Sequence, residues 1–155
     1  MTIEEGKKAP TFSLLGSDGK KHNLKDYAGQ TVILYFYPKD DTPGCTKEAC
    51  SFKSLHKKIE KNNAVVLGVS KDSVDSHNAF IEKFKLPFIL LSDPDGKVME
   101  KYGAWGEKNM YGKKTVGVIR STTIIGTDGK VAKHWKKVPK AETHPEKVLE
   151  WLESN

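Results

Sequence analysis

Both cysteines of the 155-residue chain lie in one short segment, residues 38–50, which reads PKDDTPGCTKEAC. The segment follows an apolar run at 31–37 and leads into a sequence with helical spacing. Cys45 is therefore expected in the first turn of a helix, where unpaired backbone N–H groups and the helix dipole favour an anion. Because a thiol reacts as its thiolate, this position predicts chemistry at the Cys45 sulfur.

The residues just before Cys45 suit such a site. Pro43 lacks an N–H group and fits a helix start, and Gly44 lets a small ligand approach the backbone closely. Thr42 carries a hydroxyl that could donate to a thiolate or to a bound oxygen. The alternative is a buried, inert cysteine with Thr42 as an ordinary N-cap, but Thr-Pro-Gly at a strand–helix junction favours the reactive thiol.

Cys50 follows five residues after Cys45. In an intact helix, five residues rise about 7.5 Å and turn about 140° beyond one full turn. The two Cα atoms would then stand roughly 8–9 Å apart, whereas a disulfide needs less than about 7 Å. Either the pair never bonds, or it forms a static crosslink, or the first helical turns unwind to join it. The spacing disfavours the static crosslink most and favours the unwinding.

The chain carries 26 basic residues and a net charge of +6, and Arg120 is its only arginine. Nucleic-acid binding is one interpretation of this excess, but such proteins usually recruit arginine for phosphate and base recognition. The dispersed lysines instead favour a solvated basic surface. A lone arginine suggests a site that needs a planar charged fork, and Arg120 on a late strand could bring a second positive charge to Cys45.

The predicted elements alternate between strand and helix in the middle of the chain, which implies a parallel core. We expect one α/β domain, residues 1–155, with a thioredoxin-like fold: a central mixed β-sheet, flanking helices and an N-terminal β-hairpin. The predicted strands are 12–15, 20–23, 31–37, 64–70, 86–91, 116–125 and 131–138, and the main helices are 45–61, 73–85 and 145–153. Residues 103–114 are expected to form a surface loop.

The pattern Pro38-x3-Thr42-x2-Cys45 resembles the active-site signature of the peroxiredoxins. The second cysteine, at Cys-x4-Cys, is similar to that of the bacterioferritin comigratory protein or peroxiredoxin Q subgroup. The resemblance runs over nearly the whole chain, including KAPTFSL at residues 8–14 and the late arginine.

This resemblance implies an antioxidant thiol peroxidase of the atypical two-cysteine type. Cys45 would be the peroxidatic residue that reduces hydrogen peroxide or organic hydroperoxides and becomes a sulfenic acid. Cys50 would resolve it as an intramolecular disulfide, which thioredoxin or a similar dithiol then reduces. Thr42 and Arg120 would orient the peroxide, and Pro38 would shield the pocket. The resemblance implies no metal, haem or flavin, and a monomer.

Two other functions are compatible with the same fold and cysteines: a thiol–disulfide oxidoreductase, against which the x4 spacing counts, and a non-enzymatic redox sensor. No apolar run approaches the ~20 residues of a membrane helix, and the N-terminus shows no secretory pattern. A cytoplasmic location is therefore expected. The five histidines form no recognisable ligand set, and all except His56 are expected to be exposed.

Overall fold

The computed structural model describes residues 3–110 and 112–155. These residues contain nine strands, four α-helices and a 3₁₀ turn at Leu24–Tyr27. The strands are β1 (Ser13–Gly16), β2 (Lys21–Asn23), β3 (Thr31–Phe36), β4 (Ala64–Ser70), β5 (Ile89–Ser92), β6 (Trp105–Met110), β7 (Lys113–Val118), β8 (Ser121–Ile125) and β9 (Val131–Trp135). The helices are α1 (Pro43–Lys61), α2 (Val74–Phe84), α3 (Lys97–Lys101) and α4 (His144–Ser154).

Seven strands form one mixed sheet in the order β2-β1-β5-β4-β3-β8-β9. Strands β3, β4 and β5 run parallel, because α1 and α2 provide the crossover connections between them. The β1–β2 hairpin pairs antiparallel with β5 at one side, and β8 pairs antiparallel with β3 at the other. The predicted mixed sheet with an N-terminal hairpin is confirmed.

Strand β3 is buried on both faces, as its uninterrupted apolar sequence predicts. Val32, Leu34 and Phe36 pack in one core cluster. The alternate residues, Ile33 and Tyr35, pack in the second cluster together with α1, α2 and α4. The strand therefore ends at buried residues, and the chain continues from there to the start of α1.

Helix α1 begins with Pro43, and the residue before it, Thr42, occupies the N-cap position. Its buried stripe contains Cys45, Ala49, Phe52 and Ile59, which share the second core cluster. This stripe follows from the helical spacing of these residues. Cys45 thus faces the second core cluster.

The prediction that residues 103–114 form a surface loop is wrong for most of this segment. The chain there forms a β6–β7 hairpin, which makes a separate two-stranded sheet. Most side chains of β7 are exposed, so its sequence lacks the apolar alternation that reveals a half-buried strand. Tyr111 in this segment lies outside the described residues.

The predicted strand at 116–125 is in fact divided into two. Its first residues belong to β7 and its last to β8, and Ile119 and Arg120 connect them. Apolar residues continue up to this connection and resume after it, so the sequence pattern does not show where β7 ends and β8 begins. Arg120 therefore lies between two strands rather than on one, which is a correction to the prediction.

In the described part of the chain, no helix combines the length and the apolar character needed to cross a membrane.

Candidate active site

Cys45 is buried in the first turn of α1, and the structure holds both cysteines as free thiols. The Nη2 atom of Arg120 donates a hydrogen bond to the Cys45 sulfur at 3.2 Å. A guanidinium group stays charged at any physiological pH, so this contact places a permanent positive charge beside the sulfur. The N-terminal end of the helix dipole adds a partial positive charge at the same position.

Arg120 reaches Cys45 because of the pairing between β3 and β8. Ser121, the first residue of β8, lies opposite Phe36, the last residue of β3. Since α1 begins a few residues after β3, the residue just before β8 lies beside the helix start. The sequence suggested this pairing through the lone arginine and through the family resemblance, although 75 positions separate the two residues.

Gly44 provides the space for this arrangement. A Cβ atom at Gly44 would stand 3.2 Å from the Arg120 Nη2 atom, closer than an ordinary van der Waals contact. The group that approaches the Gly44 backbone in this structure is thus the guanidinium. The absence of a side chain at residue 44 lets Arg120 lie against the helix start.

Glu48 is a further member of the site that sequence reasoning missed. Its Oε1 atom accepts a hydrogen bond from Arg120 Nη1 at 2.7 Å, and its side chain is 0 % exposed. Burial raises the pKa of Glu48 to about 7, although the charge of Arg120 acts in the opposite direction. Its second oxygen, Oε2, finds no hydrogen-bond partner within residues 3–110 and 112–155. Glu48 therefore orients the guanidinium from the core side.

A sequence signal for Glu48 did exist. It lies three residues after Cys45 and four before Phe52, which places it within the apolar stripe of α1. A carboxylate at a core-facing helical position needs a partner, because an unpaired buried charge is strongly unfavourable. That requirement, together with a lone arginine, predicts an ion pair.

Thr42 lies at the helix start, but its hydroxyl is engaged elsewhere. The Oγ1 atom donates to the backbone carbonyl of Lys39 at 2.8 Å, and it does not cap the helix. This bond closes the turn between β3 and α1. Pro38 is half-buried and follows Tyr37, the buried residue just after β3.

Cys50 lies in the second turn of α1 and is half-buried. The helix is continuous through both cysteines. In such an intact helix, the Cα atoms of the two cysteines stand roughly 8–9 Å apart. This distance is too long for a disulfide.

An open cleft of about 460 Å³ borders this site. Arg120, Gly44 and Lys47 form one side of the cleft, and the segment 138–143 forms the other. A larger cleft of about 540 Å³, lined by residues such as Ile3 and Lys101, contains none of the site residues. Arg120 both contacts Cys45 and lines the smaller cleft, so this cleft is the one relevant to chemistry at the sulfur.

The prediction that His22, His77, His134 and His144 are exposed is wrong for all four: three are buried and His134 is half-buried. His22, His77 and His144 are buried, because each has polar partners inside the fold. Burial, together with Lys147 and Arg120, lowers the pKa of His144 to about 4, so its ring is neutral. In the described ranges, no three His, Cys, Asp or Glu side chains are grouped so that they could hold a metal ion.

The AhpC/TSA family matches residues 5–134 of the chain. The sequence is 45% identical to peroxiredoxin Bcp of Bacillus subtilis over 152 residues, which cover 98% of this chain and 96% of the relative. It is 42% identical to peroxiredoxin Bcp of Escherichia coli over 153 residues, or 99% and 97% of the two chains. A solved structure of Xanthomonas campestris bacterioferritin comigratory protein superposes with a TM-score of 0.89 at 39% identity, covering 97% of this chain and 98% of the other.

The chain belongs to the AhpC/TSA family, the class of thiol peroxidases that the fold and the buried Cys45–Arg120 pair indicate. Its relatives over the full length place it in the subgroup of Bcp and peroxiredoxin Q proteins. The predicted subgroup, the thioredoxin-like fold and the function as a thiol-dependent peroxidase are confirmed. The alternatives of a thiol–disulfide oxidoreductase and of a simple redox sensor are set aside.

Proposed function

We propose that Cys45 is the peroxidatic residue of this peroxidase. The observation that carries the proposal is the hydrogen bond of 3.2 Å from Arg120 Nη2 to a buried sulfur at a helix start. The thiolate attacks one peroxide oxygen, and the O–O bond breaks. The leaving oxygen takes a proton and departs as water or an alcohol, and Cys45 becomes a sulfenic acid. Arg120 and the helix N-terminus stabilise the negative charge that shifts from sulfur to oxygen.

Cys50 then acts as the resolving residue. Its thiolate attacks the sulfenic sulfur of Cys45, an S–S bond forms, and the hydroxyl group leaves as water after gaining a proton. Because the intact helix holds the two residues too far apart, the first turns of α1 must unwind for this step. The product is a disulfide within one chain, so resolution needs no second subunit, and we propose a monomer.

A dithiol protein such as thioredoxin returns the disulfide to two thiols by exchange. Such recycling operates in a reducing compartment, and we propose the cytoplasm. We propose hydrogen peroxide and organic hydroperoxides as substrates. The related Xanthomonas campestris protein is described for its alkyl peroxide reduction activity. In this chain, Val138 and Pro139 give the cleft beside Arg120 an apolar side for an alkyl group.

Replacement of each cysteine tests the assignment. Cys45→Ser should abolish peroxide consumption coupled to thioredoxin oxidation, and substantial residual turnover would contradict the role of Cys45. Cys50→Ser is the matched control. It should consume one equivalent of peroxide and leave a sulfenic acid that dimedone traps, while cycling with thioredoxin fails. If Cys50→Ser still cycles, Cys50 is not the resolving residue.

A further inference from the structure

A buried polar cluster holds Asp40, two residues before the N-cap of α1. Its Oδ1 atom accepts from the hydroxyl of Tyr37 at 2.6 Å. Its Oδ2 atom accepts from the hydroxyl of Ser76 at 2.8 Å and lies 2.8 Å from Nδ1 of His77. The backbone N–H of Asp40 donates to Asp72 at 2.8 Å. The chain before α1 is thus bonded to Tyr37 just after β3, to α2, and to Asp72 in the connection between β4 and α2.

His77 is 0 % exposed, and both of its ring nitrogens face oxygen atoms. Nδ1 faces the Asp40 carboxyl group, and Nε2 lies 2.9 Å from the backbone carbonyl of Leu91 on β5. A carbonyl oxygen only accepts hydrogen bonds, so Nε2 must carry a hydrogen. The remaining question is whether the proton between Nδ1 and Asp40 belongs to the ring or to the carboxyl group.

The environment of Asp40 answers this question. Burial raises the pKa of Tyr37 well above its usual range, so this group stays a phenol and donates. The Asp40 oxygens thus accept from two hydroxyl groups, and Oδ2 also faces Nδ1 of His77. The geometry fits a ring that donates from both nitrogens, through Nδ1 to Asp40 and through Nε2 to Leu91.

We propose that His77 is a positioning residue for the peroxidase reaction: as a buried imidazolium it binds Asp40 and fixes residues 38–40 during the peroxide step and while α1 later unwinds beyond them. The fixed segment carries Pro38 and the Lys39 carbonyl that holds the Thr42 hydroxyl. The proposal rests on the function of Cys50 proposed above, because that function requires α1 to open.

The boundary between the fixed and the moving part falls at Asp41. This residue has a left-handed backbone with φ of 56°, and its carboxylate forms an exposed ion pair with Lys83 at 2.8 Å. Such a pair contributes little stability. Asp41 makes none of the hydrogen bonds of the Asp40 cluster, so the chain can change direction at Asp41 without disturbing that cluster.

The protonation of His77 is measurable in the wild-type protein. A long-range ¹H–¹⁵N NMR spectrum at neutral pH should show two protonated ring nitrogens for His77, with signals that disappear in the His77→Asn variant. A ring with a single N–H would overturn the proposal. This measurement does not depend on the roles of the cysteines, so its failure is distinguishable from failure of the proposed function.

Two substitutions separate the contacts of His77. His77→Asn keeps a donor near the Nδ1 position facing Asp40, whereas His77→Gln keeps one near the Nε2 position facing Leu91. Single-turnover formation of the sulfenic acid should slow roughly tenfold in His77→Gln and stay within about threefold of wild type in His77→Asn, because hydrogen bonds to charged groups are the stronger ones. Equal losses in both variants at equal unfolding free energy would mean that His77 acts by packing alone, which overturns the proposal. Lys83→Ala on the same helix is the control and should match wild type.

Discussion

The guanidinium of Arg120 and the carboxylate of Glu48 meet at 2.7 Å beneath the start of α1, where Glu48 has no exposed surface. This contact engages Nη1 and leaves Nη2 directed at the Cys45 sulfur. Burial acts to lower the pKa of Arg120, but the charges of Glu48 and Cys45 outweigh it and raise that pKa. The arginine therefore remains a cation and links a core carboxylate to the reactive thiol.

Arg120→Lys should slow the peroxide step by at least roughly tenfold. Lysine keeps the positive charge, but it lacks the planar fork that bonds Glu48 and Cys45 at the same time. Single-turnover kinetics of peroxide consumption, with the unfolding free energy measured in parallel, would test this. An unchanged rate in a stably folded variant would show that the charge alone is sufficient.

Glu48 should make the stability of the reduced protein depend on pH. Its pKa is about 7 in the fold against the ordinary value of 4.5, so the folded state binds this proton more tightly than the unfolded chain. The contribution is fully present below pH 4.5 and is lost as the pH rises through 7. The full change amounts to about 3 kcal/mol.

Glu48→Gln should remove this dependence. Urea unfolding under reducing conditions at pH 5 and pH 8 should show the variant gaining stability relative to wild type at the higher pH. Glu82→Gln, at an exposed position on α2, is the control and should follow the wild-type curve. Parallel curves for wild type and Glu48→Gln would contradict the raised pKa.

Thr42→Val should slow the peroxide step roughly tenfold, because the hydroxyl that closes the turn onto the Lys39 carbonyl is lost while the side-chain shape is kept. Thr42→Ser retains a hydroxyl and should recover most of the rate. The same single-turnover assay measures both variants. If valine and serine give the same rate, the hydroxyl takes no part in positioning the site.

The disulfide form should lose amide protection in the first turns of α1. In the reduced protein, the amides from Thr46 to Cys50 lie in the helix, and Thr46 N–H donates to the Thr42 carbonyl at 2.8 Å. Hydrogen exchange should become faster for these amides after oxidation, while Leu34 and Leu67 in the sheet keep their protection. Unchanged exchange from Thr46 to Cys50 in a disulfide-bonded sample would rule out the unwinding.

The central strand and the long helix were predictable because their sequences carry strong local patterns. Strand β3 is apolar on both faces, and α1 shows a stripe at helical spacing. Peroxidase function and subgroup followed from the resemblance of the Pro38, Thr42, Cys45 and Cys50 pattern to a known family. These residues lie close together in the chain, so a single sequence is enough to recognise their pattern.

The contacts of the site were less predictable because they join distant segments. Glu48 looks polar in the helical pattern, and only its pairing with Arg120 explains its burial. Likewise, His77 looks like a surface residue until Asp40 and the Leu91 carbonyl are placed beside it. Local patterns determine which elements form, but the partners of buried charges depend on the tertiary arrangement.

The most direct test of the account is the intact mass of the reduced protein before and after one equivalent of hydrogen peroxide, combined with non-reducing electrophoresis. We predict a loss of two hydrogens within a monomer, which requires Cys45 and Cys50 together and is absent when either is replaced by serine. A stable gain of oxygen without disulfide formation, or a covalent dimer, would contradict the account.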